Sequence, residues 1–156
     1  PRFGLSDLDA AAIEHLTRGW YRLHPWSDCV DALQRLKARY VIGPLSNGNV
    51  ALLVNMAKFA GLPWDAIMSA EVFGAYKPDP KTYLGAAAML GREPHQVMLV
   101  AAHNYDLKAA RALGLRTAFV PRVMEYGPGQ QTDLHAEGPW DIVASDMRDL
   151  ATRMGA

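Results

Sequence analysis

The sequence predicts a doubly wound, Rossmann-like α/β domain, a largely parallel sheet with helices on both faces. Three observations carry this. Short apolar runs of strand length, the best being Val97-Met98-Leu99-Val100-Ala101, alternate with stretches of helical periodicity. Glycines stand where those helices should stop, at Gly61, Gly91 and Gly114. Strand, turn and helix recur in that order, which calls for right-handed crossovers between parallel neighbours.

Near the N-terminus Ser6 can cap a helix, with Asp9 three residues on. Ile13, Leu16, Trp20 and Leu23 then follow at helical spacing and predict one buried stripe. Pro25 interrupts it, and Ser27-Asp28 can cap a second helix with Val30, Leu33 and Leu36 inward and basic residues toward its end. Residues 40–45 read as a short buried strand, weakened by Gly43 and by Pro44, which cannot donate to a ladder. The turn Ser46-Asn47-Gly48-Asn49 leads into a helix over 50–60, with Leu53, Met56 and Ala60 on one side. Ile67-Met68 is a minor strand. Asp79-Pro80 opens a helix carrying Tyr83, Ala87 and Leu90. After the strand at 97–101, a helix over 105–113 precedes strands at 117–120 and 142–143. Trp20, Trp26, Trp64 and Trp140 are expected to be packing residues.

At 156 residues the chain is long enough for one domain with a real core. Half of it is hydrophobic and 21% is charged, the balance of an ordered globular protein. Sixteen basic residues cancel sixteen acidic ones, so neither nucleic acid nor a membrane surface is an expected partner, and a small molecule is. The single Cys29 excludes an internal disulfide, no cysteine–histidine set has zinc spacing, and a cytoplasmic location fits. No apolar run approaches the roughly 20 residues that cross a bilayer. The opening Pro1-Arg2-Phe3-Gly4 reads as the middle of a longer chain.

In doubly wound sheets ligands bind beyond the carboxyl ends of the strands, which singles out Ser46-Asn47 and residues 102–106. Ser46 and the turn after it suit an anion, with Asn47 as a second donor; the alternative is a turn that satisfies its own backbone. Lys77 lies in Lys77-Pro78-Asp79-Pro80, a proline-braced loop that can hold an ammonium over an acidic site. Without such a site it would be an ordinary solvated lysine, as Lys81 is expected to be. Asp106 falls in the first turn of a helix, where the macrodipole alone favours it by about 0.3–1 kcal/mol. His103 can act as a hydrogen-bonding group, titrate as a base, or simply bond backbone. Tyr83 and Tyr105 can line an apolar site or belong to the core.

Taken together, Leu45-Ser46-Asn47-Gly48, Tyr76-Lys77-Pro78-Asp79-Pro80 with Tyr83, and Leu99-Val100-Ala101-Ala102-His103-Asn104-Tyr105-Asp106 resemble successive motifs of the haloacid dehalogenase superfamily. The resemblance runs from about residue 20 to the C-terminus. Residues 116–122 followed by Glu125-Tyr126-Gly127 are similar to the segment after the last motif in bacterial (S)-2-haloacid dehalogenases of type II. It implies a sheet of that family's type, with residues 1–26 the remnant of a helical cap and 27–156 a core lacking its first strand. The implied activity is cleavage of the carbon–halogen bond of a short 2-haloacid through an aspartyl ester. Lys77, Asp106 and Ser46 would be catalytic, and Ser46, Asn47, Tyr83, His103 and Tyr105 would bind the carboxylate substrate.

No residue matches the family's nucleophilic aspartate. Asp7-Leu8-Asp9 follows no apolar strand and reads as a helix start. Nor is a metal or cofactor expected, because Ala102 stands where Mg²⁺-dependent phosphatases of the superfamily carry an acidic ligand. Ala101, Ala102 and His103 also depart from the Ser and Asn residues of familiar dehalogenases. Two alternatives stay open: a phosphohydrolase needing Mg²⁺ and an unseen ligand, and a non-catalytic remnant or interaction module. A homodimer also remains open.

Overall fold

The computed structural model describes residues 8–156. Ser6 and Asp7, read as part of a helix start, lie outside the described residues. Helix α1 (Ala10–Thr17) is capped by Asp9, whose carboxylate accepts the Ala12 N–H at 2.8 Å. A 3-10 helix, Arg18–Arg22, continues it and packs against helix α3 (Val50–Ala60). The apolar stripe is not buried as expected: Ile13, Leu16, Trp20 and Leu23 are 44% to 63% exposed. One packed neighbour covers one side of so short a segment and leaves the stripe open among the described residues. Trp26 is likewise exposed, whereas Trp140 packs on the core.

Helix α2 (Cys29–Lys37) turns Ala32, Leu33 and Leu36 inward, chiefly onto helix α7 (Met147–Arg153), which the periodicity reading omitted. Asp28 is not the expected side-chain cap. Its backbone is already helical, and its carboxylate instead takes the Arg122 guanidinium at 3.1 and 2.9 Å and the Met147 N–H at 2.8 Å.

Strand β1 is only Leu45–Ser46, shorter than the expected 40–45. Pro44 offers no donor, and Gly43 lies so close to the neighbouring chain that a Cβ there would stand 2.5 Å from the Ala66 carbonyl oxygen. Residues 42–44 still run beside 65–68, since Asp65 N–H donates to Ile42 O and Met68 N–H to Pro44 O. Through α3, whose chain leaves at Gly61 with φ 68°, β1 connects to its parallel partner β2 (Met68–Ser69). The short helix α4 (Ala70–Phe73) and then α5 (Pro80–Met89), capped by Asp79, lead on to β3 (Met98–Ala101). Helix α6 (Asn104–Ala112) carries the chain to β4 (Arg116–Phe119), and a long loop returns to β5 (Ile142–Val143).

All pairings are parallel, as a doubly wound fold requires, but they form two sheets, β1-β2 and β3-β4-β5. β1 and β3 do not pair with each other, and each keeps one edge without a strand among the described residues. They nonetheless share a core. Leu45 of β1 packs against the cluster of Tyr83, Leu99, Leu107, Ala110, Leu115 and Phe119. Complete burial of a leucine such as Leu107 contributes about 1.5–3 kcal/mol, and this cluster fixes α5 and α6 behind the strand ends.

Candidate active site

The end of β1 opens into the turn at Ser46. Gly48 N–H donates to Ser46 Oγ at 3.0 Å, and Asn49 caps α3 by accepting the Leu52 N–H at 2.7 Å. The turn thus satisfies its own backbone, one of the two readings of Ser46, yet the hydroxyl hydrogen remains available to an anion. The Glu71 carboxylate accepts the Val50 N–H at 2.9 Å and so occupies part of the helix N-terminus that an anion would otherwise use.

Asn47 reaches across to Lys77. Its Oδ1 accepts the Lys77 N–H at 2.7 Å and its Nδ2 donates to the Lys77 carbonyl at 3.2 Å. One amide therefore clasps both backbone groups of the lysine, next to a cis peptide bond at Lys77-Pro78. The Lys77 ammonium in turn ion-pairs with Asp106 Oδ2, while the Tyr83 hydroxyl donates to Asp106 Oδ1 at 2.5 Å. Both carboxylate oxygens of Asp106, a residue only 3% exposed, are thus engaged. A charge so far from water needs such partners, because desolvation would otherwise cost several kcal/mol.

Of the two readings of Tyr83, pocket or core, its position fits the core: it is fully buried with its hydroxyl committed to Asp106. Burial first, and then the hydrogen bond and charge of Asp106, push this phenol far above the ordinary tyrosine pKa, so it stays a donor. Tyr105 is the reverse, 63% exposed and stacked on His103 with ring centroids 5.6 Å apart.

His103 stands at the head of α6 and makes no side-chain cap. Its Nε2 lies 3.0 Å from Glu125 Oε2 and 3.2 Å from the Tyr126 hydroxyl. Side chains rather than backbone therefore hold this nitrogen. In the sequence Glu125 and Tyr126 stand out only by resemblance, because a separation of more than 20 residues hides the contact. Asn104 falls within the last motif with no role that the sequence assigns. That buried amide donates to Asp133 Oδ1 and His135 O, and accepts from Glu137 N–H and Trp140 Nε1–H, pinning the loop before β5 to α6.

The expected residues therefore fall into two groups. Asn47, Lys77, Tyr83 and Asp106 form one connected network with Ser46 beside it in the chain, and His103 and Tyr105 form a stack at the start of α6. Ala102, next to His103 in the chain, presents only a methyl group, which cannot ligate a cation. The arrangement can neutralise and orient a carboxylate through Lys77, bind an anion through Ser46, and accept a proton through His103.

A family model for haloacid dehalogenase-like hydrolases matches residues 4–114, more than half of the chain. The (S)-2-haloacid dehalogenase 4A of Burkholderia cepacia is 29% identical over 146 residues, covering 88% of this chain and 63% of that protein. The (S)-2-haloacid dehalogenase of Pseudomonas sp. strain YL is 32% identical over 119 residues, covering 74% of this chain and 51% of that protein. The crystal structure of an L-2-haloacid dehalogenase superposes with a TM-score of 0.96 at 55% identity, over 99% of this chain and 66% of the other. This chain thus spans between about half and two thirds of the length of these relatives. With its parallel α/β architecture and its site at the strand ends, the chain belongs to the haloacid dehalogenase-like hydrolase family.

Proposed function

We propose that these residues form the larger part of a metal-independent (S)-2-haloacid dehalogenase acting on a short 2-halocarboxylate, in the cytoplasm. The observation that carries this reading is the Asn47–Lys77–Asp106–Tyr83 network, a half-buried cation paired with a buried carboxylate at the strand ends, with Ala102 where a Mg²⁺ ligand would be needed. The names of the relatives support it, being (S)- or L-2-haloacid dehalogenases.

The nucleophilic aspartate comes, in this reading, from outside the chain, on a strand that fills the unpaired edges of β1 and β3. Of the described residues, 8–26 form, in this reading, the end of a cap over the site. A carboxylate oxygen of that aspartate attacks C2 of the substrate, the carbon–halogen bond breaks, and halide leaves. Water then adds to the ester carbonyl carbon while His103 takes its proton. The carbonyl carbon–oxygen bond to the product breaks, the departing alkoxide recovers that proton from His103, and the new carboxylic acid releases its remaining proton to solvent, restoring the aspartate as the 2-hydroxy acid leaves.

Lys77 acts by charge, lowering the energy of the acidic site and of its negative intermediates. Ser46 and the remaining N–H of Asn47 hold the substrate carboxylate, with Tyr105 beside it. The test is halide release from 2-chloropropionate by the protein completed with an N-terminal segment carrying that strand and aspartate, with and without EDTA. Turnover insensitive to EDTA is expected. Turnover abolished by EDTA and restored by Mg²⁺ would overturn the reading in favour of the phosphohydrolase-type site.

A further inference from the structure

We propose that Glu125 and Tyr126 are positioning residues that hold His103 with Nε2 protonated, leaving Nδ1 to accept a proton from the hydrolytic water. The inference rests on the dehalogenase reading for the identity of the ester that this water attacks.

An ionised carboxylate only accepts hydrogen bonds, so the imidazole nitrogen 3.0 Å from Glu125 Oε2 must carry the hydrogen. The Tyr126 oxygen, 3.2 Å from the same nitrogen, is a second acceptor for it. No protein group among the described residues bonds Nδ1. Tyr105 and Tyr126 flank the ring at 5.6 and 6.3 Å, with interplanar angles of 19° and 25°, and limit its rotation.

The segment that supplies the clamp is itself braced. At one end Arg122 is held by Asp28 and lies 5.2 Å from the Trp26 ring. The next turn closes through Glu125 N–H to Arg122 O at 3.0 Å and Gly127 N–H to Met124 O at 3.1 Å. At the other end the buried Gln130 accepts the Tyr126 N–H at 3.1 Å and donates to Thr132 O at 2.9 Å. Glu125 therefore meets His103 from a fixed loop rather than from a free side of the chain. The need for such a device follows from the strand end itself. Ala101 and Ala102 offer methyl groups, so His103 is the first residue after β3 able to take a proton.

In the reaction, a water O–H bond breaks as the water oxygen bonds to the ester carbonyl carbon, and the proton passes to Nδ1. The Glu125 carboxylate offsets the positive charge that the ring then holds. The same proton leaves with the product alkoxide, so His103, Glu125 and Tyr126 return to their starting states. Carbon–halogen cleavage precedes these events and does not involve the clamp.

Two readouts on the completed protein and its Glu125→Ala variant test this. In ¹⁵N-edited NMR at a pH where imidazole is neutral, the wild type should show a slowly exchanging His103 Nε2–H that the variant loses. In rapid-mixing experiments with 2-chloropropionate, the variant should release a burst of one halide per site and then turn over about tenfold more slowly, with KM falling in step so that kcat/KM, set by carbon–halogen cleavage, stays within about twofold. Tyr126→Phe, which keeps the Glu125 bond but removes the second acceptor, should retain the Nε2–H signal with faster exchange. An Nδ1-protonated ring in the wild type, or a Glu125→Ala variant with unchanged signal and turnover, would overturn the proposal. A wild type that releases no halide refutes the dehalogenase reading instead, and the NMR result still decides whether Glu125 orients His103.

Discussion

Removing the hydroxyl of Tyr83 isolates one hydrogen bond in the site without creating a void. The Tyr83→Phe ring keeps its place among Leu99, Leu107 and Phe119, so hydrophobic burial is unchanged. What is lost is the bond to Asp106 Oδ1, one of the two partners that satisfy a carboxylate 3% exposed. A hydrogen bond to a charged group contributes about 1.5–3 kcal/mol, and Lys77 remains to hold Oδ2, so a loss near 2 kcal/mol is expected. In urea, with a slope of about 1–3 kcal/mol per molar, the unfolding midpoint should fall by roughly 1 M while the slope stays constant. Tyr105→Phe is the internal control. Its ring is largely exposed and its hydroxyl has no partner among the described residues, so its midpoint should move by less than about 0.5 kcal/mol equivalent. Equal midpoints for the two variants would show that the Tyr83–Asp106 bond contributes nothing.

Asn47→Ala should slow turnover by about tenfold or more at little cost in stability, because it releases the Lys77 backbone from an exposed clasp; steady-state kinetics beside a melting curve checks this. Gly43→Ala should destabilise by about 1–3 kcal/mol, since its Cβ would meet the Ala66 carbonyl oxygen, and urea unfolding reads the difference. Asp28 governs an acid limb. Burial opposes its charge, but Arg122 and the Met147 N–H outweigh it and hold the carboxyl below its ordinary value. A group whose folded pKa is depressed stabilises the fold above its unfolded value, about 3.9, and that stability disappears as pH falls through the folded value. Unfolding measured from about pH 5 down to pH 2 should therefore show a steeper loss in the wild type than in Asp28→Asn. Equal slopes would remove Asp28 from the account.

The helices were legible in the sequence because their signals are local. Asn49 and Gly61 bracket α3, and Asp79-Pro80 opens α5, each within a few residues of the bonds that define the end. The strand over 40–45 misled because its apolar character matches a strand while Gly43 and Pro44 keep most of it out of the ladder. The stripe of α1 misled for a different reason: periodicity tells which residues share a face, not whether anything covers it. In the site, Lys77 and Asp106 could be named from their motifs. The inward turn of Tyr83, the clasp of Asn47 and the approach of Glu125 to His103 depend on contacts across 22 to 30 residues, which no local pattern encodes.

Under the proposed function, Lys77 and Asp106 await a nucleophilic aspartate supplied from outside residues 8–156. Halide release from 2-chloropropionate tests this most directly, measured on residues 1–156 alone and on the same residues joined to the segment of the 55% identical L-2-haloacid dehalogenase that this chain does not cover. The account predicts no turnover from the first and turnover from the second, lost again on Lys77→Ala. Turnover by residues 1–156 alone would contradict it.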